Sequence, residues 1–134
     1  DKNIIIYFDK INFKELFDNL LSNSIKYNTL NGKIIISVKK IFEKIRISIK
    51  DSGIGMKNNQ IKNIFYEFYK IDSLRHDLNS TGLGLAICRK IVEKHNGKIW
   101  AESEGENLGT TIYLEFNLNK ENNYKSLKIN NINV

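Results

Sequence analysis

Only one cysteine, Cys88, occurs in the 134 residues. That excludes an internal disulfide and a cysteine-rich zinc site. Cys88 lies within an apolar helical pattern and reads as a buried structural thiol; a reducing, cytoplasmic setting is compatible with it. No apolar run approaches the roughly 20 residues that a membrane-spanning helix needs, and no signal peptide is visible. The chain starts at Asp1 rather than Met, so it is expected to be an excised piece or a processed chain. Any membrane anchor of the parent protein would then lie outside these residues. Tight basic runs with interleaved aromatics are also missing. Lys and Asn are scattered, so the net charge of +6 does not by itself make a nucleic-acid surface. Finally, the glycines do not form G-x-x-x-x-G-K-[ST], which excludes a P-loop.

What is present is an ordinary globular balance, 27% charged and 41% hydrophobic, in a chain long enough for one domain with its own core. Ile4–Phe8 has strand character. Asp9 or Asn12 can cap the helix that follows, in which Phe13, Leu16, Phe17, Leu20 and Leu21 recur on one face. Tyr27-Asn28 and Asn31-Gly32 end it. Ile34, Ile36 and Val38 alternate, as do Ile45, Ile47 and Ile49, and the short link at Phe42–Lys44 predicts an antiparallel hairpin. A short helix is expected over 57–65 and a mobile polar loop over 66–81. A longer helix is expected from Gly82 to His95, with Ile87, Cys88, Ile91 and Val92 inward and Asn96-Gly97 as its stop. Two strands follow, over 98–103 and 110–118. The Asn- and Lys-rich residues 120–134 read as a disordered tail, leaving 1–119 as the domain. The sum is an α+β pattern: a two-layer sandwich with a mixed, mostly antiparallel sheet of about five strands and three helices on one face.

Three features could carry chemistry. Asn19, Asn23 and Lys26 stand at i, i+4 and i+7 and share a narrow stripe beside the apolar face of the first helix. Amide oxygens can ligate Mg²⁺ and a lysine can meet phosphate; a solvated helix edge in an Asn-rich chain has the same pattern. D-S-G-I-G, 51–55, follows a strand. An Asp there can accept a hydrogen bond from an exocyclic amine while glycines let the backbone approach a flat ligand; a plain loop is the other reading. T-G-L-G-L, 81–85, opens a helix, where unpaired N–H groups and the helix dipole make an anion site.

Taken in order, these features resemble the catalytic, ATP-binding domain of sensor histidine kinases, in the Bergerat-type ATPase superfamily. The resemblance covers about residues 4–118. L-F-D-N-L-L-S-N-S-I-K-Y, 16–27, is similar to the N-box; D-S-G-I-G-M, 51–56, to the first glycine box; I-F-Y-E-F-Y-K, 64–70, to the F-box; and S-T-G-L-G-L-A-I, 80–87, to the second glycine box. I-V-E-K-H-N-G-K-I-W-A-E-S, 91–103, and G-T-T, 109–111, also match. Two positions depart from the pattern: Ser80 and Asn96 stand where the family often has glycine.

The resemblance implies Mg-ATP binding and transfer of the γ-phosphoryl group to a histidine in two-component signalling. Asn23 would coordinate Mg²⁺, with Asn19 nearby, and Lys26 would contact phosphate. Tyr27 would lie against adenine, Asp51 would bind its amino group, and Gly53 and Gly55 would shape that wall, with Thr110 beside Asp51. Lys70 and Arg75, in the lid, would reach the terminal phosphate. Thr81, Gly82, Leu83, Gly84 and Leu85 would line the phosphate end. The implied catalytic set is Asn19, Asn23, Lys26 and Lys70. Asn19 stands where the gyrase-type and chaperone relatives have a glutamate that activates water, which points to transfer rather than efficient hydrolysis. Neither His95, read as a packed structural histidine, nor His76 in the loop has the context of a phosphoacceptor. The acceptor would lie on a separate dimerisation domain of the same, homodimeric protein, with a response regulator as indirect partner and no nucleic acid. The expected setting is cytoplasmic, under a parent sensor anchored in the membrane. An anti-sigma-factor-type serine kinase and a non-catalytic nucleotide-sensing module are the alternative readings.

Overall fold

The structure, a computed structural model, describes residues 4–71, 81–118 and 126–129. In chain order its elements are β1 (Ile4–Tyr7), α1 (Lys10–Lys26), β2 (Ile34–Ile41), β3 (Lys44–Asp51), α2 (Asn58–Ile61), α3 (Gly84–Lys94), β4 (Lys98–Glu102), β5 (Thr110–Asn117) and β6 (Ser126–Ile129). β2, β3, β5 and β4 form one antiparallel sheet in that spatial order, and β1 pairs with β6 in a separate two-stranded ribbon. The α+β class, the hairpin and the three helices agree with the sequence pattern. The strands number six among the described residues rather than about five, and all their pairings are antiparallel.

Period-2 alternation places Ile45, Ile47 and Ile49 of β3 and Ile112, Leu114 and Phe116 of β5 on one side of the sheet, all buried. Leu16 and Leu20 of α1 and Cys88, Ile91 and Val92 of α3 meet them. Burying such side chains is worth roughly 1.5–3 kcal/mol each, and this shared layer holds α1 and α3 side by side. Cys88 is fully buried, and its Sγ–H donates to the Leu16 carbonyl across the helix pair at 3.7 Å. Burial pushes its thiol up to about 12, as a structural thiol requires. Among the described residues no helix is long and apolar enough to cross a membrane.

Helix boundaries follow local chemistry. Asp9 caps α1, its Oδ1 accepting from the Asn12 amide at 2.8 Å. α3 ends in a Schellman turn. Asn96 takes the left-handed conformation, φ 55°, while its amide donates to Glu93 O (3.0 Å) and that of Gly97 to Val92 O (2.9 Å). Asparagine tolerates this region better than other non-glycine residues, so Asn96 keeps the turn that glycine makes elsewhere. Two boundaries differ from expectation. Gly82 lies outside α3 with φ 72°. The helix expected over 57–65 is α-helical only over Asn58–Ile61, after which Asn63 and Tyr66 close i→i+3 turns and Ile64 is buried. In the region read as a polar tail, residues 126–129 form β6, with Ile4 opposite Ile129 and Tyr7 opposite Ser126.

His95 joins the chain's start to the end of α3. Its ring stacks on Phe8 at 3.7 Å and 2°, and Phe8 in turn meets Phe13 and Phe116 edge-on. The Asp9 amide donates to Nε2 at 3.2 Å, so Nδ1 carries the proton and donates to Ile91 O at 2.7 Å. This neutral tautomer has no free lone pair for an added proton. Burial pushes the imidazole below its ordinary value of 6.5, outweighing the bond to Ile91. The folded state therefore binds fewer protons than the unfolded one as pH falls through about 6.5, and the stabilisation is complete only above that. Urea midpoints of the wild type should fall between pH 7.5 and 5.5, roughly a unit either side of the free imidazole. His95→Phe should show a lower midpoint at pH 7.5 and a smaller fall; an equal fall would place the pH dependence elsewhere.

Candidate functional site

A cleft of about 270 Å³ opens between α1, α3 and the adjoining end of the sheet. Asp51, the last residue of β3, sits at its base with 9% of its surface exposed. Its Oδ1 accepts from the Gly53 amide at 2.9 Å and from the Thr110 amide at 3.2 Å. One carboxylate oxygen thus ties the loop after β3 to the start of β5, which lies directly opposite. Burial pushes the Asp51 carboxyl above the usual carboxylate range, against the lowering effect of those two amides. The loop is also fastened to α1: the Ile54 amide donates to the Tyr27 carbonyl at 3.0 Å. Asn28 completes the join, its Oδ1 accepting from the Ser52 hydroxyl and its Nδ2 donating to Lys33 O.

Along α1, Asn19, Asn23, Lys26 and the helix-ending Tyr27 all line the cleft. The i, i+4, i+7 stripe therefore faces the cleft, with Asn19 and Asn23 half-buried and Lys26 exposed at its rim. Asn19 Nδ2 donates to the Glu15 carbonyl at 3.0 Å. Its Oδ1 turns to α3, standing 3.2 Å from where a Cβ on Gly84 would lie. Lys26 Nζ lies 5.3 Å from the centroid of the Tyr27 ring.

The paired glycines answer different needs. Gly82 is in the left-handed region and packs on Phe68, whose Cα would be 3.0 Å from an added Cβ; the Phe68 amide donates to the Gly82 carbonyl at 2.9 Å. Gly84 opens α3 and admits Asn19. Both line the cleft, with Thr81 and Leu85. Leu83 does not; it is the N-cap, and its carbonyl accepts from the Ile87 amide. Gly53 is likewise off the cleft wall and contributes through its amide to Asp51. Gly55, Thr110 and Lys70 line it. Arg75, His76 and Ser80 lie outside the described residues.

Sequence reasoning missed the apolar wall: Leu20, Ile54, Met56, Ile64, Tyr69, Ile71 and Ile112, together with Ser22 and Ser24. Ile54 and Met56 sit inside the D-S-G-I-G-M stretch and Tyr69 beside Lys70, so adjacency to polar site residues was the available signal. The cleft therefore has an apolar middle, one carboxylate at its base, and amides, cations and a helix start elsewhere on its wall. A helix start favours an anion by roughly 0.3–1 kcal/mol when exposed. Among the described residues no three His, Cys, Asp or Glu side chains gather to hold a metal. The donors offered are amide oxygens, which suit a hard cation that keeps other oxygen ligands.

Asp51→Asn retains an oxygen for both amides and removes a charge that burial disfavours. Because the folded carboxyl titrates above its unfolded value, its ionised form costs stability at neutral pH and the cost disappears in acid. Melting at pH 7 should be at or above that of the wild type, with the difference closing as pH falls through the raised value of the folded carboxyl and gone below about 4, the free carboxylate value. A lower melting temperature at pH 7 would mean that the carboxylate charge itself holds the loop.

Residues 8–120 match the family described as histidine kinase-, DNA gyrase B-, and HSP90-like ATPase. The sensor protein kinase WalK of Staphylococcus aureus is 41% identical over 117 residues, which cover 84% of this chain and 28% of that protein; the chain spans under a third of the length of the curated relatives it matches. The nucleotide-free catalytic domain of the histidine kinase ThkA is 33% identical with a TM-score of 0.70, over 83% of this chain and 70% of that one. ThkA in complex with the response regulator protein TrrA matches at 32% identity and a TM-score of 0.63, over 79% of this chain and 28% of the other. The chain therefore belongs to the family of histidine kinase-, DNA gyrase B-, and HSP90-like ATPases, and within it is a catalytic domain of the histidine-kinase kind.

Proposed function

We propose that the cleft binds Mg-ATP and that the domain passes the γ-phosphoryl group to a histidine on a separate dimerisation domain of the same protein. The observation that carries this reading is that Asp51, Asn23 and the glycine-flanked start of α3 line one cleft. Asp51 has one oxygen committed to backbone amides, leaving the other to accept a hydrogen bond from the adenine amino group. Tyr27, Ile54, Met56 and Ile112 supply flat apolar surface for the ring. Lys26, Lys70 and the first amides of α3 meet the phosphates. Asn23 would hold Mg²⁺ with Asn19 beside it; the bound ion would neutralise phosphate charge and help align the group being transferred.

Transfer to a partner is favoured over hydrolysis by what the wall lacks. Among the described lining residues Asp51 is the only carboxylate, and it is held by two amides. Asn19 has no basic lone pair with which to activate water. Phosphoryl transfer rests on positioning and charge stabilisation more than on covalent help, and a histidine nitrogen is itself a nucleophile. His95 is not that acceptor: it is 4% exposed with both ring nitrogens bonded. The kinase relatives support the histidine-bearing domain as partner, and the ThkA complex supports a response regulator as the next recipient.

Calorimetric titration with Mg-ATP should show Asn23→Ala and Asp51→Asn each weakening binding at least about tenfold, as expected from losing one charge-assisted contact of about 1.5–3 kcal/mol. Binding unchanged in either variant removes that residue from the site. Mixed with the dimerisation domain and labelled ATP, the chain should place acid-labile, base-stable phosphate on histidine. Acid-stable phosphoserine, or many turnovers of ATP without a partner, would overturn the transfer reading.

A further inference from the structure

The two long helices pack on one side of the four-stranded sheet, and the other side carries an unusual set of residues. Its register forms a grid. One row reads Lys39, Arg46, Glu115, Lys98 across β2, β3, β5 and β4; the next reads Ser37, Ser48, Tyr113, Trp100. Lys44 and Lys50 belong to the same face of β3. That makes five cations, Lys39, Lys44, Arg46, Lys50 and Lys98, against two carboxylates, Glu102 and Glu115, a surplus of three.

The surplus is organised around one resident carboxylate. Glu115 Oε1 is bonded to Lys44 Nζ at 2.8 Å, and Oε2 to Arg46 Nη2 at 2.7 Å and Nε at 3.1 Å. These bonds hold its carboxyl below the ordinary range. Lys39, Lys50 and Lys98 are exposed and make no ion pair among the described residues. Lys39 and Lys98 stand in the Glu115 row and Lys50 two rows along β3, so the three can receive further carboxylates spread over the face around the one already bound.

Beside this row, Trp100 stacks on Tyr113 at 5.1 Å and 14°. Arg46 and Lys98 stand 5.1 and 5.4 Å from the indole centroid, and Nε1–H donates to Glu102. The indole is already occupied by a phenol ring and two cations, and it is only partly exposed. That leaves little ring face for stacking a base, which single-stranded nucleic-acid platforms need. The face also carries the exposed Ile35, with the exposed Phe42 in the adjoining hairpin turn, so an anionic bilayer is the rival partner, tested with vesicles.

We propose that this open sheet face docks an acidic polypeptide segment, its carboxylates seated on Lys39, Lys98 and Lys50 around the Glu115 clamp. The nucleotide cleft lies on the helix side, so such a partner and a nucleotide can be held at once. The proposal does not depend on phosphoryl transfer.

Trp100 is the only tryptophan in the chain, so its emission reports on this face. An octaglutamate peptide titrated into the 134-residue chain at low salt should change that emission saturably, and added salt should weaken the binding. Lys39→Gln/Lys98→Gln should weaken it by about tenfold. Lys57→Gln/Lys62→Gln, which removes the same charge elsewhere, should bind as the wild type. Melting temperatures check that each variant is folded, and Lys98→Gln alone, with a smaller loss, serves if the first double melts low. Unchanged emission, equal weakening in both doubles, or displacement of the peptide by oligothymidylate or by phosphatidylserine vesicles at lower concentration would overturn the proposal.

Discussion

The Oδ1 atom of Asp51 accepts two main-chain amides, one from the loop that follows its own strand and one from the start of the neighbouring strand. Most of the site is referred to that atom. It fixes where β3 ends and how the glycine loop turns, and the loop in turn meets the carbonyl of Tyr27, the residue that caps the end of α1, through Ile54. The position of α1 then sets where Asn19, Asn23 and Lys26 project. An acidic residue in a buried position is a costly choice for such a joint. Its use is intelligible because the same side chain offers a second oxygen to the cleft.

The opposite wall is set by packing. Leu16 and Leu20 against Cys88 and Val92 hold α1 and α3 together, and Gly84 lets Asn19 approach the first turn of α3. Glu67 and Lys90 form an exposed ion pair at 2.5 Å, and the Phe68 amide donates to the Gly82 carbonyl, so the aromatic segment after α2 is tied to the body of α3 and to the glycine stretch before it. The cleft is thus a gap between elements that are each held by something else.

Where the chain has a strong period, its reading and its structure coincide. The Leu16–Leu20 face, the Ile45–Ile47–Ile49 alternation and the Asn96-Gly97 stop are examples, because local geometry alone decides them. Ser126–Ile129 is different. Four residues in an Asn- and Lys-rich stretch have no recognisable period, and their strand exists through pairing with β1, a partner more than a hundred positions away. Gly82 is similar: a glycine next to a helix gives no sign of which side of the boundary it occupies. In the site, the polar residues were legible because an amide stripe or a carboxylate after a strand is conspicuous. Leu20, Met56, Ile64 and Ile112 were not, since an apolar side chain looks the same whether it fills a core or walls a cleft. Here the two roles are shared by the same residues.

The β1–β6 ribbon has a mechanical consequence. Ile4 lies opposite Ile129, so the first residue of β1 and the last of β6 sit side by side. Tension between these two ends loads the ribbon as a zipper and not in shear. Its rungs open in succession, from Ile4–Ile129 to Tyr7–Ser126. Only then does the load on the β1 side reach Phe8, held between His95 and two phenylalanine rings. The ribbon thus stands in series between a pull on these two residues and the packed body that carries the cleft.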